Sequence, residues 1–149
     1  MARDFPSIVN FGSAFRFALE AERAGADFAA AAGVIAPDTP WQAKLEELLC
    51  AHDDRVEKLT TLRQQVNEVT LEPLHGLDGS PYAAILGGEP AVTWPAAGEQ
   101  MAAVEDTIAD YHEAFVAHAG GALGAQAGAF AKAGAQARAA AEELRGLLV

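Results

Sequence analysis

The sequence predicts an all-α fold, and three observations support that prediction. The chain of 149 residues contains 35 Ala, and alanine is the best helix-forming residue. β-Branched residues are sparse, and large apolar residues recur three or four positions apart, which is the period of one helix face. The 7 Pro residues fall near proposed helix ends or within one long connection, so they interrupt no helix.

Four long helices are predicted in chain order. Gly33 and Pro37 end the first helix, since neither residue favours its continuation. Thr39 and Pro40 open the second, because Thr can cap a helix and Pro suits its first position. The four predicted helices cover residues 7–32, 40–71, 96–119 and 122–148.

The connections between these helices predict how they pack. The first and last connections are short, so each should join an antiparallel hairpin. The connection over 73–94 is long enough to cross a bundle of about 35–40 Å. Its many large apolar residues indicate that it packs on the helices and contains one short helical turn. This architecture is a four-helix bundle with one long crossover, the ferritin-like class, in a single domain over 1–149.

The charge balance and the cysteine content exclude several classes of function. The chain has 10 Lys and Arg against 21 Asp and Glu, a formal net charge of −11. Nucleic-acid binding needs a basic surface, and an anionic membrane would repel this chain. One Cys excludes an internal disulfide framework and a cysteine-rich zinc site. Without a targeting segment or a spanning apolar stretch, we expect a cytoplasmic protein with no membrane insertion.

Two acidic residues occupy positions within the apolar stripes. Glu22 follows Leu19 at helical spacing on the first helix, and Glu105 lies between Met101 and Ile108 on the third. A buried carboxylate is costly unless it is paired, hydrogen-bonded or bound to a metal. Each residue therefore either lies at the edge of its stripe and reaches water or belongs to a buried polar site.

Hairpin geometry brings these acids together with two more polar residues. Glu22 lies level with His52, because both are 15 residues from the centre of the first predicted turn. Glu105 lies level with about Gln136, since the second turn is predicted at 120–121. The four side chains fall in one layer, where His52 is either a metal ligand or a histidine hydrogen-bonded to a neighbouring acid.

Two local strings resemble the rubrerythrin-type ferritin-like family. The string FALEAERAGADFA resembles the family's first helix, in which Phe and Tyr follow a ligand Glu by six and seven residues; Glu22 and Phe28 match. Glu105 repeats the pattern on the third helix, with His112 in the Tyr position. The resemblance implies a ferritin-like fold of two similar halves, with Glu22 and Glu105 at the metal site.

The same resemblance implies a Glu-x-x-His pair on the second and fourth helices. His52 and Arg55 occupy the two positions on the second helix, and the fourth helix has no such pair. Arg cannot bind a metal, but a guanidinium can take the place of one beside a carboxylate. The residues therefore indicate either a central ionic network of Glu22, Arg55 and Glu105 or a metal site of Glu22, His52 and Glu105.

The degenerate site favours a non-catalytic ferritin-like bundle that acts as an assembly or accessory protein, with no cofactor. The alternative is a rubrerythrin-type redox protein with Fe or Mn at a reduced Glu/His site. No motif for a phosphate loop or a nucleophile is present, so the sequence leans against an enzyme. Gly120, Gly124 and Gly128 recur at four-residue spacing. They indicate either a homo-oligomer or protein-partner contact or tight internal packing.

Overall fold

The computed structural model describes residues 3–149, the surroundings of Gly120 excepted, and these residues form helices and no β-strand. The all-α prediction is confirmed. The helices are α1 (Phe11–Ile35), α2 (Thr39–Gln65), α3 (Ser80–Leu86), α4 (Ala96–Leu123) and α5 (Ala127–Leu148). Helices α1 and α5 each pack on α2 and α4, and the short α3 lies against α4 and α1. Within the described residues, no helix is both long and apolar enough to cross a bilayer.

Helix α1 begins 4 residues later than the sequence predicts, because Asn10 caps it. The Asn10 side chain accepts a hydrogen bond from the backbone N–H of Ser13, and the Ser13 hydroxyl accepts one from the N–H of Asn10. This capping box satisfies backbone donors that the helix itself leaves free. At its other end the helix continues through Gly33, where the sequence predicts its end.

Helix α2 ends 6 residues earlier than predicted, because the chain after it turns back towards the start of α1. The backbone N–H groups of Phe11 and Gly12 donate to the carbonyls of Glu72 and Thr70. After a 3₁₀ turn over Asn67–Val69, these bonds hold residues 70–72 beside the start of α1. The connection that follows contains α3, which is the short helical element predicted within 73–94.

The turn between α4 and α5 lies further along the chain than predicted. Helix α4 continues through Gly121, and a 3₁₀ turn over Gly124–Gln126 leads into α5. Gly124 has a φ of 59°, a left-handed conformation that glycine adopts without a steric penalty. The predicted turn at residues 120 and 121 is therefore wrong.

The buried apolar side chains form two clusters with a polar layer between them. The first cluster is rich in Ala and includes the large residues Phe28, Trp41, Leu45, Met101, Ile108 and Leu144. The second is rich in aromatic residues and includes Phe11, Phe15, Phe17, Tyr111, Phe115 and Phe130. The two clusters supply the apolar burial that stabilises the helices, and the polar layer lies between them.

Candidate functional site

Five polar side chains meet between the two clusters, and we call them the charged layer: Glu22 of α1, His52 and Arg55 of α2, and Glu105 and His112 of α4. Arg55 is 7% exposed, and the other four have no exposed surface. The structure thus brings together Glu22, His52 and Glu105, which the hairpin register predicts in one layer, and Arg55 joins them. Charges buried this deeply are tolerated only when each has a partner.

His52 bridges the two carboxylates of the layer. Its Nδ1 lies 2.8 Å from Oε1 of Glu22, and its Nε2 lies 2.5 Å from Oε1 of Glu105. Because a carboxylate only accepts hydrogen bonds, both ring nitrogens donate, and the ring is an imidazolium. Burial opposes this charge, but Glu105 and Glu22 outweigh it and raise the pKa of His52 from 6.5 to about 9.

Gly25 provides the space for the His52 ring. It lies one turn after Glu22 on the same face of α1, and a Cβ at this position would overlap the ring atoms of His52. The absence of a side chain lets the imidazolium lie directly against the helix backbone. Gly25 therefore fixes the distance at which His52 meets Glu22.

Arg55 is the second cation of the layer. Its Nε donates to both oxygens of Glu22, at 3.0 Å from Oε1 and 2.9 Å from Oε2. Its Nη2 lies 3.1 Å from Nδ1 of His52, so the two cations that bind Glu22 also lie next to each other. Burial would raise the pKa of Glu22, but hydrogen bonds from His112 and His52 keep that pKa well below its usual range.

The charges of the layer balance. Leaving aside the imidazole of His112, two carboxylates face one guanidinium and one imidazolium. The sequence predicts a central ionic network of Glu22, Arg55 and Glu105, in which Arg55 lies beside one of the two acids; the hydrogen bonds of Arg55 to acidic residues go to Glu22. His52 is the cation that connects the two carboxylates.

Gln136 lies at the rim of the charged layer, with its amide oxygen 3.5 Å from Nη1 of Arg55. The sequence predicts that Gln136 lies level with Glu105. This is wrong, because the α4–α5 turn lies further along the chain than predicted. The residue of α4 that faces this part of α5 is His112, since a Cβ on Gly134 would lie 3.4 Å from the His112 Cβ.

His112 is the member of the layer that the sequence reasoning missed. Its Nε2 lies 3.1 Å from Oε2 of Glu22 and donates to it. It follows Glu105 by 7 residues, which is close to two helical turns and puts both on one face. That spacing is the signal that could have found it, but the resemblance assigns the position to a Tyr.

The donor atoms of the charged layer do not fit a metal ion. Neither ring nitrogen of His52 has a free lone pair, and both oxygens of Glu22 accept hydrogen bonds. The layer's buried polar atoms that lack a partner among the described residues are Oε2 of Glu105 and Nδ1 of His112. Two ligand atoms fall short of the three that an open non-haem iron site takes from the protein. Across residues 3–149, no group of three or more His, Cys, Asp or Glu is arranged to hold an ion.

Comparison with known proteins leaves the chain without an assigned family. No family model, no curated protein and no solved structure matches it. The resemblance to rubrerythrin-type proteins therefore stays a prediction from the sequence, and the functional argument depends on the geometry of the charged layer.

Proposed function

We propose that this chain is a ferritin-like helical bundle in which the charged layer takes the place of the di-iron centre, and that it acts without catalysis as an assembly or accessory protein. The order of the helices supports the first part. Two pairs of long helices are joined by a long connection that carries one short helix. That is the connectivity of ferritin-like folds, which have one long crossover.

The observation that carries the proposal is the pairing of Arg55 with Glu22. The resemblance puts a metal-binding His at the position of Arg55 and a ligand carboxylate at Glu22. In this chain a permanently charged guanidinium hydrogen-bonds both oxygens of that carboxylate. Arg55 thereby neutralises Glu22, whose two oxygens also accept hydrogen bonds from His52 and His112, so an ion would have to displace these donors. The layer then serves to align α1, α2 and α4.

The burial of the layer supports a role without catalysis. A catalytic acid or base must come within hydrogen-bond reach of its substrate. Four of the five side chains of the layer have no exposed surface, and the Arg55 side chain is 8% exposed. Arg55 lines a surface pocket with Lys132 and Gln136, but the four other side chains are closed to a substrate, so we expect the chain to act through its surface.

One end of the molecule exposes large apolar side chains. At this end the start of α4 packs against the start of α2 and the end of α5. Val34 and Val92 belong to the same end and are 85% and 83% exposed. Exposed apolar side chains mark protein interaction sites when they form a contiguous patch. We propose that this end supports self-association.

The glycines predicted to serve a partner contact lie at the opposite end. A Cβ at Gly124 or Gly128 would meet no atom within 4 Å, so tight internal packing does not explain them. The left-handed turn accounts for Gly124. Gly120 lies outside the residues whose surroundings are described, and a contact there stays a prediction.

Metal analysis of protein purified without a tag tests the first part of the proposal. We expect iron and manganese far below one atom per chain, because the guanidinium and the imidazolium already neutralise the carboxylates. A stoichiometry near two irons per chain, with the absorption of an oxo-bridged pair, would overturn the proposal. That result would favour the rubrerythrin-type redox protein.

Light scattering tests the second part. We expect a dimer or a larger assembly, which the double variant V34D/V92D converts to monomer. Leu71 is also 85% exposed but lies at the other end, so Leu71→Asp is the matched control and should leave the mass unchanged. A monomer mass for the unmodified protein at high concentration would contradict self-association.

A further inference from the structure

Most cations of this acidic chain are neutralised by neighbouring carboxylates. Among the residues that the structure describes, Arg16, Arg63 and Lys132 make no ion pair, whereas the other Lys and Arg side chains do. Arg16 of α1 and Arg63 of α2 line the same surface groove of about 470 Å³. No Asp or Glu lines that groove, although the chain contains 21 of them. Two arginines without an ion pair therefore face the same groove, and Arg16 also borders a neighbouring pocket that Asp4 and Glu20 line.

The groove lies where the start of α1 meets the segment that follows α2. The backbone N–H of Gly12 donates to the carbonyl of Thr70 at 2.8 Å. A Cβ on Gly12 would lie 2.9 Å from that carbonyl oxygen, so the close approach of the two segments needs a glycine. These contacts hold the walls of the groove in fixed positions without using either arginine.

The two arginines have donors available for a ligand. The Nε of Arg63 is buried and has no hydrogen-bond partner among the described residues, which is costly for a charged donor. The Arg16 side chain is exposed. Ser7 adds a hydroxyl group to the lining. An oxyanion in the groove would face the outer nitrogens of both guanidinium groups and the Ser7 hydroxyl, whereas the buried Nε of Arg63 is closed to a ligand.

We propose that this groove binds a phosphate monoester. Two guanidinium groups match the charge of nearly −2 that a monoester carries at neutral pH, and their planar forks donate paired hydrogen bonds to phosphate oxygens. Val9 and Leu71 line the same groove and are 63% and 85% exposed. They offer apolar surface to the esterified group. The proposal involves no residue of the charged layer and is independent of the function proposed above.

Calorimetric titration with phenyl phosphate tests the site. We expect saturable binding of one molecule per chain, tighter than that of benzoate, which carries half the charge. Arg16→Gln and Arg63→Gln should each weaken binding by about tenfold or more, because each removes charged hydrogen bonds. Arg145→Gln is the control: it makes the same charge change at a side chain that is 52% exposed and pairs with Asp106. It should leave the affinity unchanged.

Three results would overturn the proposal: no saturable binding to the unmodified chain, binding that survives the double variant R16Q/R63Q, or an equal loss in Arg145→Gln. Tighter binding of benzoate would overturn the assignment of phosphate. Circular dichroism melting shows whether each variant is folded. If Arg63→Gln unfolds, the Arg16→Gln variant decides the test, because the Arg16 side chain is exposed. The metal content and the light-scattering mass do not depend on the groove. A failure to bind phenyl phosphate is therefore distinguishable from a failure of the proposed function.

Discussion

Arg55 and Arg138 each bind carboxylates of neighbouring helices, but one does so in the core and the other at the surface. The Arg138 side chain is 35% exposed, against 8% for Arg55. Arg138 hydrogen-bonds three acidic residues of α4, namely Asp106, Asp110 and Glu113. Those carboxylates keep contact with water, whereas Glu22 depends on its protein partners for every hydrogen bond. The comparison indicates that burial, and not the number of ion pairs, decides how much an arginine contributes to the free energy of unfolding.

The largest effect is expected for the buried arginine. Arg55→Ala leaves the layer with two buried carboxylates and one cation, and it should lower the free energy of unfolding by about 3–5 kcal/mol. Urea denaturation measures this loss. A chelator should leave the melting temperature of the unmodified chain unchanged. Unchanged stability in the variant, together with a lower melting temperature in chelator, would show that a metal is the partner of Glu22.

Raising the pH should weaken the same layer through His52. Its pKa is raised from 6.5 to about 9 in the folded chain, so its stabilisation is complete below pH 6.5 and is lost as the pH rises through 9. The free energy of unfolding should fall by about 3 kcal/mol over that window. His52→Gln should be less stable overall, but its free energy of unfolding should not fall over this pH range. An identical fall in both proteins would show that groups other than His52 cause it.

A methyl group at Gly25 should disturb the layer without removing a charge. Gly25→Ala forces the His52 ring away from α1, and overpacking of this kind costs about 1–3 kcal/mol. Gly33 is the matched control on α1, because a Cβ there would meet nothing within 4 Å. Gly33→Ala should be stabilising by about 0.5–1 kcal/mol. Thermal melts that rank the two variants in the opposite order would show that His52 does not lie on Gly25.

The smallest effect is expected at the surface arginine. Arg138→Ala should lower the free energy of unfolding by less than about 1 kcal/mol, even though it removes three ion pairs. Part of that loss should disappear in high salt, which screens exposed charges. Urea denaturation at two salt concentrations measures both quantities. A loss as large as that of Arg55→Ala would contradict the comparison of the two arginines.

The first hairpin could be predicted from the sequence because its turn is marked clearly. Pro37 ends α1, and Asp38 caps α2 through a bond from the Trp41 N–H, so little freedom is left in the register. Counting outward from that turn brings Glu22 to His52, and the structure has them in contact. The prediction worked because local chain chemistry fixes the turn.

The second hairpin could not be predicted in the same way. Residues 120 and 121 are both Gly and indicate a turn, but a helix can include glycine at a cost of about 1 kcal/mol each. The turn is set by the left-handed conformation of Gly124. The residues next to Gly124 in the sequence give no signal for a turn at that position. The error placed Gln136 level with Glu105, whereas Gly134, two residues before Gln136, lies against His112.

The state of the His52 ring is the central claim of this account, and nitrogen NMR of the imidazole side chains measures it directly. The signal of His52 is identified by its loss in His52→Gln. Near neutral pH, both ring nitrogens should carry protons, and they should titrate together near the raised pKa of about 9. A neutral ring, with one nitrogen unprotonated or bound to a metal, would contradict the account.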